Sequence, residues 1–385
     1  MNSIELFAGA GGLALGMAHA GYQHSAIIEW DDDACQTIQA NRHHYITRND
    51  DFLLFQGDAR HFDFGHYAHR IDVISGGPPC QPFSMGGKAV GCLDQRDMFP
   101  VAIDSVRQIM PKAFIFENVK GLLRKSFSSY LEYIILQLTF PNIRQKTHES
   151  WTEHGSRLER MHTAGKVPPS YHVVFRLFNA ADYGVPQKRH RVFIVGFRHD
   201  MGVKWSPPEA THSEHSLLVS QWITGEYWER HHIARRHRPD PPLPLQGRIA
   251  RLSIADSDKP SMAPWITVRD AICDLPDPEK NTTGIPHHEF NEGARPYPGH
   301  TGSPLDEPAK TLKAGNHGVP GGENMLIRSD GSVRYFTVRE AARIQTFPDH
   351  YTFRGAWTET MRQLGNAVPV KLAEVVARSV ASSLR

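Results

Sequence analysis

The first two hundred residues alternate short apolar runs with helix-like segments, and this alternation limits the fold more than any other feature. Apolar runs of strand length occupy residues 4–7, 26–29, 53–56, 71–75, 113–117, 173–178 and 191–197. Helical spacing of apolar residues marks residues 13–20, 34–41, 99–109 and 128–138. Strands that alternate with helices build βαβ units, so we predict an α/β fold with a doubly wound, mostly parallel sheet. The chemistry of such a sheet lies at the carboxyl ends of its strands.

A second region differs in character. Between residues 201 and 334 long apolar runs disappear and prolines and glycines cluster, which predicts a smaller, loop-rich domain with its own small core. Helices are predicted again after this region: Thr337 and Glu340 form a capping box before one helix, and an amphipathic helix follows Pro369. We therefore assign residues 1–200 and 335–385 to one domain and 201–334 to another. Residues 141–170 lack a clear period and are interpreted as an insertion.

Composition excludes several classes of protein. The 385 residues contain four cysteines, without a C-x-x-C pair, which indicates free thiols in a reducing cytoplasm. No apolar run approaches the roughly 20 residues that cross a bilayer, and no secretory signal is visible, so we expect no membrane partner. No histidines or thiols lie at metal-ligand spacing, and we predict no metal. The net charge of +2 means that any nucleic-acid surface is a local patch.

A glycine turn follows the first predicted strand. In "IELFAGAGGLALG", Gly9, Gly11 and Ala14 satisfy the G-x-G-x-x-G/A pattern, and Glu29 ends the next strand. This pattern permits a cofactor to approach the backbone while the acid holds a ribose, but a glycine turn that packs a helix on a strand also explains it.

Neighbouring residues narrow the choice of cofactor. Trp30 offers an aromatic face for adenine, Asp58 in "GDAR" can accept from the adenine amino group, and Phe7 suits a positive centre. No basic residue lies in the glycine turn to meet phosphates. S-adenosylmethionine is therefore a better candidate than a nicotinamide cofactor.

A thiol stands at the end of the fourth predicted strand. In "GGPPCQPFS", Pro78 and Pro79 stiffen the approach to Cys80, which is either a buried inert thiol or a nucleophile. Glu117 in "FENV" ends the next strand, so its carboxyl and the thiol are expected at adjacent strand tips. This pairing suggests that Glu117 protonates a substrate ring as sulfur attacks; a helix-capping acid is the alternative.

Five motifs in one order carry a resemblance to a family. "FAGAGGL", "PPCQPFS", "FENV", "QKRHRVFIVG" and "QLGNAVP" resemble the motif series of the DNA (cytosine-5) methyltransferases of the bacterial restriction–modification type. The resemblance covers roughly residues 3–200 and 310–380. It implies a Rossmann-like methyltransferase sheet, a target-recognition domain in the unmatched middle, S-adenosyl-L-methionine as cofactor and double-stranded DNA as substrate. A cognate restriction endonuclease that acts separately is the protein partner it implies.

The resemblance also implies roles for individual residues. Cys80 would add to C6 of a flipped-out cytosine, Glu117 would protonate N3, and Arg189 and Arg191 would be aimed at O2 and at the Glu117–Cys80 region; a surface basic cluster is the alternative for the two arginines. The cofactor set is Phe7, Gly9, Gly11, Gly12, Leu13, Glu29, Trp30, Asp58, Ala59, Pro79, Asn366 and Ala367. The DNA-binding set is Gln81, Ser84, Lys88, Arg96 and Thr311, of which Thr311 would touch a phosphate.

The middle region offers a basic stretch. Residues 229–240, "ERHHIARRHRPD", carry four arginines and are either a solvated loop or a set of phosphate and base contacts. Three other functions remain open from the sequence: an RNA cytosine-5 methyltransferase, a catalytically silent DNA-binding protein and a Rossmann oxidoreductase. The large middle region disfavours the first, intact Cys80 and Glu117 disfavour the second, and "PPCQ" disfavours the third. The cytoplasm, in association with the nucleoid, is the expected location.

Overall fold

A computed structural model describes most of the chain. Its described residues are 1–46, 51–79, 97–165, 167–252, 262–280, 284–297, 301–314, 322–328 and 330–385. Among these, no helix is both long enough and apolar enough to cross a membrane.

Seven long strands and several short ones form the sheets. The long strands are β1 Asn2–Leu6, β2 Gln23–Glu29, β3 Leu53–Gln56, β4 Val73–Gly76, β5 Ala113–Val119, β6 Tyr171–Asn179 and β7 His190–Arg198. The short strands are β8 His212–Ser213, β9 Ala263–Pro264, β10 Ser303–Pro304, β11 Met325–Ile327 and β12 Val333–Tyr335. All seven strands predicted from the apolar runs are present, with boundaries shifted by at most a few residues.

Helices connect and cover these strands. The first group is α1 Gly12–His19, α2 Asp32–Ala40, α3 Phe99–Ile109, α4 Ser128–Thr139 and α5 Trp151–Thr163. The middle region holds α6 Glu214–Trp222, α7 Glu226–Arg230, α8 Leu243–Ile249 and α9 Val268–Ile272. The last group is α10 Val338–Ile344, α11 Trp357–Asn366 and α12 Val370–Ser383.

The main sheet has the order β3-β2-β1-β4-β5-β7-β6. Strands β1 to β5 are parallel, whereas β7 runs antiparallel between β5 and β6. Successive residues of β5 enter different cores: Phe114 and Phe116 pack in the cluster that contains α3 and α4, while Ala113 and Ile115 pack in the cluster that contains α1 and α12. Both faces of the sheet are therefore covered, and the doubly wound, mostly parallel fold is confirmed.

The last helix packs against the first. A Cβ added to Gly16 in α1 would lie 2.4 Å from Cβ of Ala373 and 2.7 Å from N of Glu374, both in α12. Only a glycine permits this closeness of two helix backbones. The capping box predicted at Thr337 and Glu340 is present at the start of α10, with both of its hydrogen bonds.

The helix α5 was not predicted. Residues 141–170, interpreted as an unpatterned insertion, contain α5. Its buried side is narrow, with only His154 and Leu158 buried, so its apolar period is weak. The helix begins with a capping box between Ser150 and Glu153, which stabilises its first turn independently of any apolar stripe.

The middle region contains most of a small aromatic buried cluster. Leu217, Tyr227, Trp228 and Trp265 form a separate buried cluster, and Trp222 packs edge-on to Trp228 with ring centroids 5.5 Å apart.

The end of the middle region packs in a different cluster. Val268 and Ile272 of α9, together with Ala309, Leu312 and Leu326, pack in the same cluster as residues of α1, α10 and α11. The domain boundary near residue 334 therefore stays a prediction, because part of 201–334 shares a core with the sheet domain.

Candidate active site

The residues assigned to the site converge on one edge of the sheet. Glu29 is the last residue of β2, Asp58 follows β3, Pro79 follows β4, and Glu117 lies near the end of β5. These strands are parallel neighbours, so their carboxyl ends share an edge. Arg191 joins them because β7 is antiparallel and its start pairs with Val119 at the end of β5.

The glycine turn after β1 leaves an open space at this edge. Phe7 and Gly9 both have left-handed backbone conformations, with φ of 56° and 53°. A Cβ on Gly9 would meet nothing within 4 Å, so the backbone there is open to a ligand. Gly12, by contrast, packs against the protein itself. A Cβ on Gly12 would lie 2.3 Å from the carbonyl oxygen of Val368. The side chain of Leu13 is buried in the core.

Glu29 is held in place by the backbone. Its carboxylate accepts from N–H of Gly9 at 2.7 Å and from N–H of Trp30 and Asp31 at 2.9 Å each. Burial raises the pKa of Glu29, and the three N–H donors oppose that rise. The neighbouring Trp30 is 77% exposed, which is unusual for so large an apolar side chain. An anchored acid beside an unpartnered aromatic ring suits a ribose and an adenine.

Other members of the predicted cofactor set differ in their surroundings. Asp58 is paired with Arg60, whose guanidinium holds the pKa of the carboxyl below its ordinary value. The side chain of Ala59 is buried in the core. Asn366 is exposed at the end of α11, and the adjoining Ala367 is buried.

A buried ion pair marks the other half of the site. The carboxylate of Glu117 lies 2.7 Å from Nε of Arg191, and both side chains are 9% exposed. Burial raises the pKa of Glu117, and the two guanidinium groups of Arg191 and Arg189 oppose that rise. The guanidinium of Arg191 also donates through Nη1 to the carbonyl of His190 at 2.9 Å. Among the described residues, its Nη2 forms no hydrogen bond.

The approach to Cys80 is built against Glu117. A Cβ on Gly77 would lie 3.3 Å from Oε2 of Glu117, and the Asn118 side chain donates to the carbonyl of Pro78 at 3.0 Å. The exposed Pro79 accepts from N–H of Met98 at 3.0 Å. The two flanks of residues 80–96 therefore meet beside Glu117. Cys80 itself, and the predicted DNA contacts Gln81, Ser84, Lys88 and Arg96, lie outside the described residues.

The two arginines of "QKRHR" have different surroundings. Arg191 faces Glu117, as expected, whereas Arg189 is fully buried and its terminal nitrogens donate to the carbonyls of Leu312, Gly365 and Ala367 at 2.6 to 2.9 Å. Burial lowers the pKa of Arg189, and the nearby Arg191 adds to the effect. With these contacts Arg189 is directed at the backbone rather than at a base.

The residues of the middle region that were predicted to contact DNA differ in whether they already have partners within the protein. Thr311 donates its hydroxyl to the carbonyl of Lys188 at 2.7 Å, so a contact with phosphate requires that hydroxyl to turn away. In residues 229–240, Arg230 pairs with Asp270 at 2.8 Å and is structural. Arg235 and Arg236 are exposed and form no ion pair with the described residues.

Sequence reasoning missed several buried polar residues near the site. Glu5 of β1 and Ser75 of β4 are fully buried and hydrogen-bonded to each other. The sequence signal for this pair was an acidic residue inside the otherwise apolar run "SIELF". Gln187 and Gln345 are also fully buried and joined at 2.9 Å. In the part of the chain that the structure describes, no group of three or more histidines, cysteines and acids could hold a metal ion.

Comparison with known proteins places the chain in a family. A family model described as C-5 cytosine-specific DNA methylase matches residues 1–148 and 141–382. The type II methyltransferase M.NgoMIV of Neisseria gonorrhoeae is 31% identical over 386 residues, which is 100% of this chain and 98% of that protein. The type II methyltransferase M.AplI of Arthrospira platensis is 32% identical over 99% of this chain and 86% of its own length.

Solved structures show the same fold. A predicted DNA modification methyltransferase encoded within an E. coli prophage aligns over 100% of this chain and 99% of its own, with a TM-score of 0.59 and 21% identity. The motif order, the position of the site at the strand ends and these matches all argue against the Rossmann oxidoreductase that the sequence alone had left open. The chain belongs to the C-5 cytosine-specific DNA methylase family and is a DNA (cytosine-5) methyltransferase of the bacterial restriction–modification type.

Proposed function

We propose that this enzyme transfers a methyl group from S-adenosylmethionine to carbon 5 of a cytosine flipped out of a specific double-stranded DNA sequence, through a temporary bond between Cys80 and C6. The observation that carries the proposal is the buried Glu117–Arg191 pair, which lies against Gly77 on the approach to Cys80. A carboxyl with a raised pKa beside a planar donor suits the N3 and O2 edge of a cytosine.

The chemistry follows from the weak nucleophilicity of C5. Addition of the Cys80 thiolate at C6 forms a carbon–sulfur bond, and a proton from Glu117 to N3 lowers the cost of that addition. Arg191 holds Glu117 in position, and its guanidinium can donate to O2. After methylation the C5 proton passes to solvent, the C6–sulfur bond breaks with its electron pair returning to Cys80 as thiolate, and N3 returns its proton to Glu117.

The described residues fit S-adenosylmethionine. The open space above Gly9 admits a ligand to the backbone, Glu29 is positioned for ribose hydroxyls, and the exposed Trp30 offers a stacking face for adenine. Asp58 can accept from the adenine amino group, and Asn366 and Ala367 border the pocket. Bound there, S-adenosylmethionine would supply an electrophilic methyl group on its sulfonium.

A cytosine stacked in duplex DNA cannot reach Glu117, so the base must leave the helix at a cost of a few kcal/mol. Residues 80–96, whose flanks meet beside Glu117, are the candidates for filling the vacated stack. Arg235 and Arg236 are exposed and available for phosphates. In a restriction–modification system the enzyme would act in the bacterial cytoplasm on nucleoid DNA, and its methylation would protect that DNA from a separate endonuclease.

Bisulfite sequencing tests the activity and the recognition sequence together. We expect expression in a host without cytosine methylation to protect the cytosine of one recurrent sequence. No protected sequence after expression of folded protein would count against the proposal.

Replacement of the nucleophile tests the covalent step. We expect Cys80→Ser to abolish methylation and to prevent the denaturant-resistant complex that 5-fluorocytosine DNA forms with the wild type, because fluorine blocks loss of the C5 substituent. Cys273→Ser, at an exposed cysteine, is the matched control and should keep both properties. Unchanged methylation by the Cys80→Ser enzyme would remove the mechanism.

A further inference from the structure

A buried arginine lies between two segments to which the family resemblance assigns different ligands, DNA for one and the cofactor for the other. Nη1 of Arg189 donates to the carbonyl of Leu312 at 2.7 Å, and Nη2 donates to those of Gly365 and Ala367 at 2.6 and 2.9 Å. Leu312 follows Thr311, the proposed phosphate contact, whereas Gly365 and Ala367 flank Asn366, the proposed cofactor contact. One guanidinium therefore joins the DNA segment 311–314 to the cofactor segment 364–367.

Two glutamines form a second link between the same segments. Oε1 of Gln187 accepts from N–H of Leu312 at 2.9 Å, and its Nε2 donates to Oε1 of Gln345 at 2.9 Å. Nε2 of Gln345 donates in turn to the carbonyls of Leu364 and Ala367. Both glutamines are fully buried, so this chain of hydrogen bonds is shielded from water.

The two segments also touch directly. A Cβ added to Gly365 would lie 2.3 Å from N of Ala314 and 2.3 Å from the carbonyl carbon of Lys313. Backbone packs on backbone at this point, which leaves no room for one segment to move toward the other. Interiors packed this closely transmit displacement instead of absorbing it.

Movement of one segment alone is costly. It would leave carbonyls of the other segment, or the Arg189 guanidinium, buried without partners, which is unfavourable for a neutral group and more so for a charge. The DNA segment and the cofactor segment therefore shift together or not at all. A ligand that fixes one of them fixes the other.

We propose that Arg189, Gln187 and Gln345 are positioning residues that couple the DNA and cofactor sites, so that each ligand tightens the binding of the other. The inference rests on the proposed function, which supplies the two ligands. Binding linkage makes the coupling reciprocal: the factor by which DNA raises cofactor affinity equals the factor by which cofactor raises DNA affinity.

Calorimetry on the full chain measures this coupling. The probes are S-adenosylhomocysteine and a short duplex carrying the sequence that bisulfite sequencing identifies. For the wild type we expect the duplex to lower the Kd of S-adenosylhomocysteine by about 5-fold to 100-fold, the usual range for coupled sites. Arg189→Lys keeps the charge but replaces two separate nitrogens with one. We expect both ligands still to bind it singly, with the coupling reduced to about two-fold or less.

Arg339 provides a matched control. It is also buried, and it donates to three backbone carbonyls, those of Pro286, Pro348 and Tyr351, at 3.1 to 3.2 Å. None of these belongs to residues 311–314 or 364–367. Arg339→Lys should therefore lower thermal stability as much as Arg189→Lys does, while it retains the wild-type coupling. If thermal melting shows that Arg189→Lys does not fold, Gln345→Leu, which breaks the second link, decides the question.

The outcomes separate the coupling from the proposed function. Equal coupling in the wild type and in a folded Arg189→Lys or Gln345→Leu enzyme would overturn the inference, and so would a wild type in which the duplex leaves the Kd unchanged. A wild type that binds no S-adenosylhomocysteine, or that protects no DNA sequence, would overturn the proposed function instead. Loss of coupling in the Arg189 and Gln345 variants, but not in Arg339→Lys, supports the inference.

Discussion

At the scale of single residues, the sheet carries a carboxyl group where an apolar side chain would be expected. Glu5 of β1 is fully buried, and the Ser75 hydroxyl donates to its Oε2. Burial raises the pKa of Glu5 to about 8, and the negative charge of Glu117 adds to the effect. The group is therefore mostly neutral at pH 7 in the folded enzyme, whereas it is ionised in the unfolded chain.

This difference predicts how Glu5→Gln changes stability with pH. Below pH 4.5 the carboxyl is protonated in both states and costs the wild type nothing. Between pH 4.5 and about 8 the unfolded chain gives up its proton and the folded enzyme keeps it, so the wild type loses stability as pH rises, by about 1.4 kcal/mol per unit. The glutamine side chain of the variant cannot ionise, and the advantage of the variant over the wild type should grow across that window.

Urea unfolding at several pH values, followed by tryptophan fluorescence, measures this advantage. Glu159→Gln, at an exposed position on α5, is the control and should follow the wild-type curve. A constant difference between Glu5→Gln and the wild type from pH 4.5 to pH 8 would contradict the prediction.

At the scale of elements, close approach of α1 and α12 depends on Gly16. A Cβ there would lie 2.4 Å from Cβ of Ala373 and 2.8 Å from the carbonyl oxygen of Val370. These are positions of backbone and Cβ atoms, which cannot turn aside as a flexible side chain would. Gly16→Ala should therefore destabilise the enzyme by about 1 to 3 kcal/mol, although alanine is the better helix former.

Gly155 in the middle of α5 offers the matched comparison. A Cβ there would meet only Cδ2 of Tyr133, at 3.4 Å, so Gly155→Ala should be neutral or stabilising by up to about 1 kcal/mol. Chemical denaturation of the two variants gives the difference directly. Equal effects would mean that the α1–α12 contact is looser than the structure shows.

Elements were predictable where local patterns were strong. The bounds of Leu53–Gln56 and Phe99–Ile109 agree with the apolar pattern, although only the helix has buried residues and the strand lies at the edge of the sheet. The helix α5 has little apolar surface, and its readable signal was the Ser150–Glu153 capping box rather than a stripe. The convergence of Glu29 and Glu117 followed from the rule for parallel strands. The contacts of Arg189 could not be predicted from the sequence. Its carbonyl partners lie 123 and 176 residues away, and backbone carbonyls have no sequence signature.

At the scale of the whole molecule, the buried clusters make different contributions. The cluster around Trp228 is formed almost entirely by residues of the middle region, whereas the larger clusters pack on the sheet that carries the proposed catalytic and cofactor residues. Trp228 is 1% exposed and donates through Nε1 to the carbonyl of Gln221. Damage to this cluster should remain within the middle region.

Trp228→Ala tests that separation. Loss of so large a buried ring costs about 3 to 5 kcal/mol locally. Hydrogen exchange should accelerate in α6 and α7 but not in β1 or β5, and the Kd of S-adenosylhomocysteine should stay within about two-fold of the wild type while DNA methylation falls. Faster exchange throughout the sheet would show that the two parts unfold as one.

The packing of α12 on α1 also has a consequence for folding during synthesis on the ribosome. A ribosome releases Gly12–His19 long before Val370–Ser383, so the buried side of α1 waits without its partner through most of translation. The nascent chain must keep this apolar surface from aggregating until Val370–Ser383 emerges. A chain that ends before Val370 would therefore leave the buried side of α1 without the helix that covers it.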